Sequence, residues 1–173
     1  ANHHIACTGD DGIEVELHVT LAEAFDSEKI NAYLQQCQAS FFEHRKLQDV
    51  MGVTFELAAD AYQAFYLLLH MLQHFLRAGF GLKLLCDWVV FWEKPVCKEE
   101  KDTFIKLLEG SGLVGFASII TAVCVEYLQL DRKKVAFLID RESFDKKTVT
   151  SFMKEVFEAE EFGHSDTDRM VVL

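Results

Sequence analysis

Helical spacing of apolar residues, maintained from Ser27 almost to the end of the chain, is the feature that most constrains this fold. Across that stretch the only proline is Pro95, so few positions force a helix to stop. The apolar pattern and its breaks predict six helices, at residues 27–41, 58–77, 82–92, 98–109, 113–128 and 146–159. The fifth is apolar nearly all round, so we expect it to be the central buried helix.

A strict two-residue alternation precedes the helices and is typical of a strand. Residues 5–8 are predicted to form a strand, 9–12 a turn rich in Gly and Asp, and 13–21 a second strand. One face of the second strand is expected to meet the core and the other to carry polar groups. The core face would hold Ile13, Val15, Leu17, Val19 and Leu21, and the polar face Glu14, Glu16, His18 and Thr20. The sequence therefore predicts an α+β fold, mostly α, with an N-terminal β-hairpin followed by a bundle of about six helices.

Composition and charge exclude several classes of protein. Half of the residues are hydrophobic, and 28 acidic against 17 basic residues give a formal net charge of −11. Such a chain is repelled by phosphate backbones and by anionic lipid, so we expect neither general nucleic-acid binding nor membrane binding. Five cysteines without a CxxC pair, and no visible signal peptide, favour reduced thiols and a cytoplasmic location.

The negative charge is concentrated near the amino end. The first 28 residues hold seven acidic residues and no Lys or Arg. Glu14 and Glu16 lie two apart on the predicted strand, so their positions are roughly 6.5–7 Å apart on one face. Paired carboxylates of this kind can hold Mg²⁺, or they can form the solvated face of a hairpin.

A second candidate site spans the two helices around Gly79 and Gly81. His70 and His74 are four residues apart and share one helix face, and Asp87 can face them if the two helices pack antiparallel. Two imidazoles and a carboxylate could bind a metal or a ligand, or they could form a buried polar network that joins the helices.

These residues resemble the uncharacterised nucleotidyltransferase family. The resemblance rests on the helix Phe65 to Phe75 with His70 and His74, the segment Gly79-Phe80-Gly81-Leu82-Lys83, the segment Cys86-Asp87-Trp88, the strand Val15-Glu16-Leu17-His18, and the late segment Glu161-Phe162-Gly163. It extends over nearly the whole chain and implies the polymerase-β-like nucleotidyltransferase superfamily.

The resemblance implies transfer of a nucleoside monophosphate from a nucleoside triphosphate to an unknown acceptor, with Mg²⁺ as cofactor. Glu16 would be the catalytic third carboxylate and a metal ligand, with Glu14 as a second ligand. His18, His70, His74, Lys83 and Asp87 would contact the nucleotide or the acceptor. Residues 1–25 would be the last strands of a palm-like sheet, and residues 26–173 one helical domain.

One element of the family's pattern is missing from this sequence. No Gly-Ser followed by an acidic pair on a strand precedes Glu16, and the only D-x-D, Asp166-Thr167-Asp168, lies in a polar tail. Because the first residue is not Met, we expect the chain to be part of a longer protein. The primary acidic pair would then come from a missing N-terminal segment or a second chain.

Two alternatives to nucleotidyl transfer stay open. The first is a helical metal- or ligand-binding protein that uses His70, His74 and Asp87 without nucleotide chemistry. The second is a degenerate or truncated domain whose role is to support a structure or bind a partner. The oligomeric state, the nucleotide and the acceptor are not encoded in any motif of this sequence.

Overall fold

The computed structural model describes residues 4–77 and 80–158, and for His4, Glu16, Arg77 and Glu158 only the course of the backbone. These residues form four strands and seven helices. The elements are β1 (His4–Thr8), β2 (Glu14–His18), α1 (Glu28–Glu43), β3 (Arg45–Val50), β4 (Val53–Ala58), α2 (Asp60–Arg77), α3 (Leu82–Glu93), α4 (Lys98–Ser111), α5 (Val114–Tyr127), α6 (Arg132–Ile139) and α7 (Lys146–Glu158). The predicted α+β, mostly α class is confirmed. Within the described ranges, no helix is both long and apolar enough to cross a membrane.

The chain divides into two compact units, with the boundary between Ala58 and Ala59. The first unit contains the four strands and α1, and the second contains α2 to α7. The division predicted from the sequence, after residue 25, stays a prediction. The tail segments 161–163 and 166–168, and Gly79 of the glycine pair, lie outside the described residues.

β1 and β2 form the predicted antiparallel hairpin. Its turn is closed by the Gly9 amide, which donates to the Ile13 carbonyl at 2.9 Å, and by the Asp11 carboxylate, which accepts from the Ile13 amide at 3.1 Å. Gly12 has a φ of 79°, a conformation that glycine adopts without steric cost. The residue types at positions 9–12 therefore determine the turn, and the turn fixes the register of the hairpin.

The predicted core face of β2 is wrong. Ile13, Val15, Leu17 and Val19 are 45–62% exposed, and only Leu21 of the predicted set is buried. A two-stranded sheet has no second layer of its own to cover an apolar face. Among the described side chains of the first unit, the buried apolar residues other than Leu21 are Leu34 and Cys37 on α1 and Ala58 at the end of β4.

A second hairpin, β3 with β4, lies in the region beyond residue 27, for which the sequence predicts only helices. Its strands pair antiparallel through a two-residue turn at Met51 and Gly52, whose φ angles are 54° and 81°. Positive φ angles at two consecutive residues are typical of a two-residue hairpin turn. The Asp49 carboxylate accepts from the Gly52 amide at 3.1 Å and completes it.

The second unit is a helical bundle built around α5. This helix buries eight residues and contacts α3, α4, α6 and α7, so the prediction of a central buried helix is confirmed. All six predicted helices are present. A seventh, the short α6, begins at the N-cap Asp131, whose carboxylate accepts from the Lys133 amide at 2.9 Å, and it was not predicted.

Aromatic side chains fill the core of the second unit. Trp88 and Trp92, on successive turns of α3, are almost fully buried and pack edge to face, with ring centroids 5.5 Å apart. Phe104 of α4 contacts both rings. The Trp88 indole N–H donates to the Thr121 hydroxyl of α5 at 3.1 Å, so the most buried ring of α3 is also oriented by a hydrogen bond.

Candidate functional site

The first group of candidate residues lies on β2. Glu14, Glu16 and His18 occupy alternate positions of this strand, and Glu16 pairs in register with Ala6 of β1. Glu14 is exposed and His18 is half-buried, whereas for Glu16 the structure describes the strand position alone. The hairpin thus places an accessible carboxylate and an imidazole on β2, with Glu16 between them in sequence.

The second group lies on α2. The His70 and His74 rings contact each other edge to face, with centroids 4.6 Å apart, as the four-residue spacing predicts. Tyr66, one turn earlier, stacks on His70 with centroids 6.2 Å apart. All three side chains are partly accessible to solvent. Tyr66 therefore extends the histidine pair into an aromatic row along one side of α2, and sequence reasoning had not included it.

Lys83 and Asp87 lie one turn apart on α3, on its exposed side. The opposite side of this helix is buried through Leu85, Trp88 and neighbouring aromatic rings. Neither charged residue forms an ion pair with another described residue. The core packing of α3 thus holds a cationic and an anionic group at the surface, where a ligand can reach them.

The metal-binding alternative is not favoured by this geometry. Among residues 4–77 and 80–158, no group of three His, Cys, Asp or Glu side chains is arranged to hold a metal ion. His70, His74 and Asp87 all belong to those residues, so the structure does not assemble them into a metal-binding triad.

The cysteines divide between core and surface. Cys37 and Cys124 are buried, and Cys7, Cys86 and Cys97 are exposed. Burial raises the pKa of the Cys124 thiol to about 12, with a smaller contribution from the nearby Cys86. At neutral pH Cys124 is therefore a protonated thiol that acts as a small core residue.

One surface cleft was not predicted from the sequence. A cleft of about 570 Å³ opens among α5, α6 and α7. One wall includes residues from both ends of α6, the helix that the apolar pattern did not reveal. Asp131 before a Lys-rich segment was the available signal for that helix, since Asp is a favoured N-cap residue.

Comparison with known proteins identifies one family. The sequence model of a family described as uncharacterised nucleotidyltransferase matches residues 1–129. The matched segment runs from the first hairpin through α5 and includes every candidate residue on β2, α2 and α3. No curated protein and no solved structure matches the chain.

Proposed function

The chain belongs to the uncharacterised nucleotidyltransferase family, and on that premise we propose that it acts in Mg²⁺-dependent transfer of a nucleoside monophosphate to an acceptor. The family match over residues 1–129 is the observation that carries this proposal. In such a reaction an acceptor nucleophile attacks the α-phosphorus of a nucleoside triphosphate, a new bond to phosphorus forms, and pyrophosphate leaves. When bound, Mg²⁺ would neutralise the negative charge that develops on the phosphate oxygens.

Glu16 and Glu14 are the residues that we propose to hold Mg²⁺. Carboxylate oxygens are the ligands that this ion prefers, and it usually takes one or two of them together with substrate phosphates. Glu14 is exposed on β2 and its position alternates with that of Glu16. The donor set therefore fits a hard divalent cation, whereas the His and Asp residues of α2 and α3 do not form a metal group.

We propose that the residues of α2 and α3 bind the nucleotide or the acceptor. Lys83 is an exposed cation that can pair with a phosphate, and Asp87, one turn away, can accept hydrogen bonds from hydroxyl or amine groups. The His70 and His74 rings, in mutual contact and partly accessible to solvent, carry nitrogen atoms that can hydrogen-bond to a base or a sugar. His18 on β2 is proposed as a further contact to the nucleotide.

The primary acidic pair is proposed to come from outside the 173 residues. Asp10 and Asp11 precede Glu16 but lie in the hairpin turn, where the Asp11 carboxylate is engaged by the Ile13 amide. They cannot form the strand-borne pair that the superfamily uses. We therefore expect nucleotide binding by this chain alone, and full transfer activity only when the missing pair is supplied.

Isothermal titration calorimetry with ATP and with GTP tests the proposal. Wild-type chain is expected to bind at least one of the two in Mg²⁺ and to lose affinity when EDTA replaces the metal. Glu16→Gln should weaken the Mg²⁺-dependent binding by about tenfold or more, since a charged contact is worth roughly 1.5–3 kcal/mol. Asp10→Asn removes the same charge from the exposed turn and should leave the affinity unchanged.

Two results would contradict the proposal. One is the absence of any Mg²⁺-dependent heat with either nucleotide. The other is an equal loss of affinity in Glu16→Gln and Asp10→Asn, because that would show a response to net charge rather than to a metal ligand. Circular dichroism of both variants checks that the fold is retained.

A further inference from the structure

The β1–β2 hairpin carries apolar side chains on one face, and they are exposed. Ile5 lies directly opposite Leu17, and Cys7 lies directly opposite Val15, so both strands contribute to the same face. Alternation along an extended strand adds the residue before β2 and the residue after it. The exposed fractions of the large side chains lie between 45% and 62%. We call this set the apolar face: Ile5, Cys7, Ile13, Val15, Leu17 and Val19.

An exposed surface of this kind marks an interaction site. Single apolar residues at a surface are ordinary, whereas a contiguous apolar patch indicates that another molecule covers it. A two-stranded hairpin is marginal in water unless a further strand or a helix packs on it. The hairpin is nevertheless tied to the first unit, since the Gln38 side chain of α1 donates to the Val19 carbonyl at 3.0 Å. The apolar face is therefore presented on an anchored hairpin.

The dimensions of the apolar face match one helix. Two paired strands lie about 4.8 Å apart, so with their side chains they form a strip about 10 Å wide. An α-helix with its side chains has about the same diameter. From Ile13 to Val19 the strip is about 20 Å long, which is the length of about 13 helical residues. A single amphipathic helix of nearly four turns would cover the strip.

The charges around the apolar face select the kind of helix. The first 28 residues include seven acidic residues and no Lys or Arg. Asp10 and Asp11 are exposed in the turn at one end of the apolar face, and Glu14 is exposed on β2. A second copy of this chain would bring the same negative charges to the interface, so self-association is opposed. A helix with Lys or Arg along its flanks is attracted instead.

We propose that the apolar face is the docking site for an amphipathic, basic helix of a partner protein. The apolar stripe of that helix packs on Val15 and Leu17 at the centre of the strip, and its flanking cations face the acidic groups of the hairpin. The docking goes beyond the proposed nucleotidyl transfer and uses none of its residues. Glu14 and His18 alternate with Val15 and Leu17 and so belong to the opposite face of β2.

Three labelled peptides test the proposal by fluorescence anisotropy with the 173-residue chain. The basic peptide has about fourteen residues, with Leu in one helical stripe and Lys on both flanks. The acidic peptide has Glu in place of each Lys, and the scrambled peptide keeps the basic composition but breaks the stripe. The basic peptide is expected to bind in a saturable way, at least about tenfold more tightly than the other two, and added NaCl should weaken it.

Variants locate the binding on the apolar face. Val15→Thr and Leu17→Thr remove exposed apolar surface but keep a residue that favours strands, and each should weaken binding of the basic peptide by about threefold to tenfold. Leu47→Thr removes a side chain that is 72% exposed on β3, in the other hairpin, and serves as the matched control with unchanged affinity. Circular dichroism checks that all three variants keep the fold.

Several results would overturn the proposal. One is equal binding of the acidic or the scrambled peptide, and another is an affinity that Leu17→Thr leaves unchanged or that Leu47→Thr lowers equally. Sedimentation velocity that shows dimers lost in Leu17→Thr would assign the apolar face to a second copy of the chain. Flotation with uncharged phosphatidylcholine vesicles that depends on Leu17 would assign it to a lipid surface.

Discussion

The hydrogen bond between Trp88 and Thr121 offers the sharpest test of how the helical unit is held together. Both side chains have 0% relative exposure, and the indole N–H donates to the Thr121 hydroxyl at 3.1 Å. The hydroxyl in turn donates to the Ala117 carbonyl at 2.6 Å. Thr121→Val keeps the shape of the side chain but removes the acceptor, which leaves the indole N–H without a partner in a dry core.

The expected cost follows from that geometry. A buried donor without a partner costs about 1–3 kcal/mol, whereas the Ala117 carbonyl loses little because it still accepts within the helix. The added methyl group of valine offsets part of the loss. We therefore expect Thr121→Val to lower the free energy of unfolding by about 1–2 kcal/mol, which corresponds to a fall in Tm of roughly 2–8 °C for a chain of this size.

A double-mutant cycle separates this hydrogen bond from general packing. Urea unfolding is measured for wild type, Thr121→Val, Trp88→Phe and the double variant. In the Trp88→Phe background there is no indole N–H to leave unpaired, so Thr121→Val should be nearly neutral, with a coupling of about 1 kcal/mol or more. If Thr121→Val costs the same in both backgrounds, the assigned role of the hydroxyl is wrong.

Three further predictions follow from single features. Met51→Asn should stabilise the chain by about 1 kcal/mol in urea unfolding, because Asn tolerates the φ of 54° that strains methionine, and an unchanged or lower stability would contradict this. Asp145 accepts from the side chain and the backbone of Thr148, which holds its pKa below the usual value. The stability that it adds over Asp145→Ala should be complete at neutral pH and should disappear as the pH falls below the ordinary range of Asp, whereas a pH-independent difference would refute it. Iodoacetamide at pH 8 should modify the exposed Cys86 and spare the buried Cys124 in the native chain, as mass spectrometry of the peptides can show, and equal labelling would argue against the packing of α5.

Local patterns were sufficient to predict six of the seven helices of the described residues. The Ser27 hydroxyl accepts from the Ile30 amide at 3.4 Å, as is typical of a serine at an N-cap. The nearly unbroken apolar sequence of α5 indicated its central position correctly. Such elements can be predicted because helical periodicity and N-capping both depend on residues that lie within about four positions of each other in the sequence.

The second hairpin and the exposed face of β2 could not be predicted in the same way. β3 carries both polar and apolar residues at alternate positions, and although Val53-Thr54-Phe55-Glu56-Leu57 of β4 does alternate, the Met51-Gly52 turn before it lacks the usual Asn or Asp. Burial of Val15 and Leu17 depends on a second layer, which is a tertiary property that strand periodicity does not encode.

The candidate site was predictable only in part. Spacing correctly placed His70 and His74 on one helix face, because that relation is local. Whether Asp87 faces them depends on how α3 is rotated about its own axis. The burial of Trp88 and its neighbours sets that rotation and leaves Asp87 at the surface. The cleft among α5, α6 and α7 is formed by residues of three helices and a loop, so no sequence motif predicts it.

The central claim is that the carboxylates of β2 hold the metal that accompanies the nucleotide. Mn²⁺ can replace Mg²⁺ as a paramagnetic probe, since it accepts the same oxygen ligands. With Mn²⁺ and a non-hydrolysable nucleoside triphosphate, the account predicts that the amide signals of residues 14–18 broaden first and that Glu16→Gln abolishes this broadening. Broadening that begins elsewhere, or that is the same in Glu16→Gln, would contradict it.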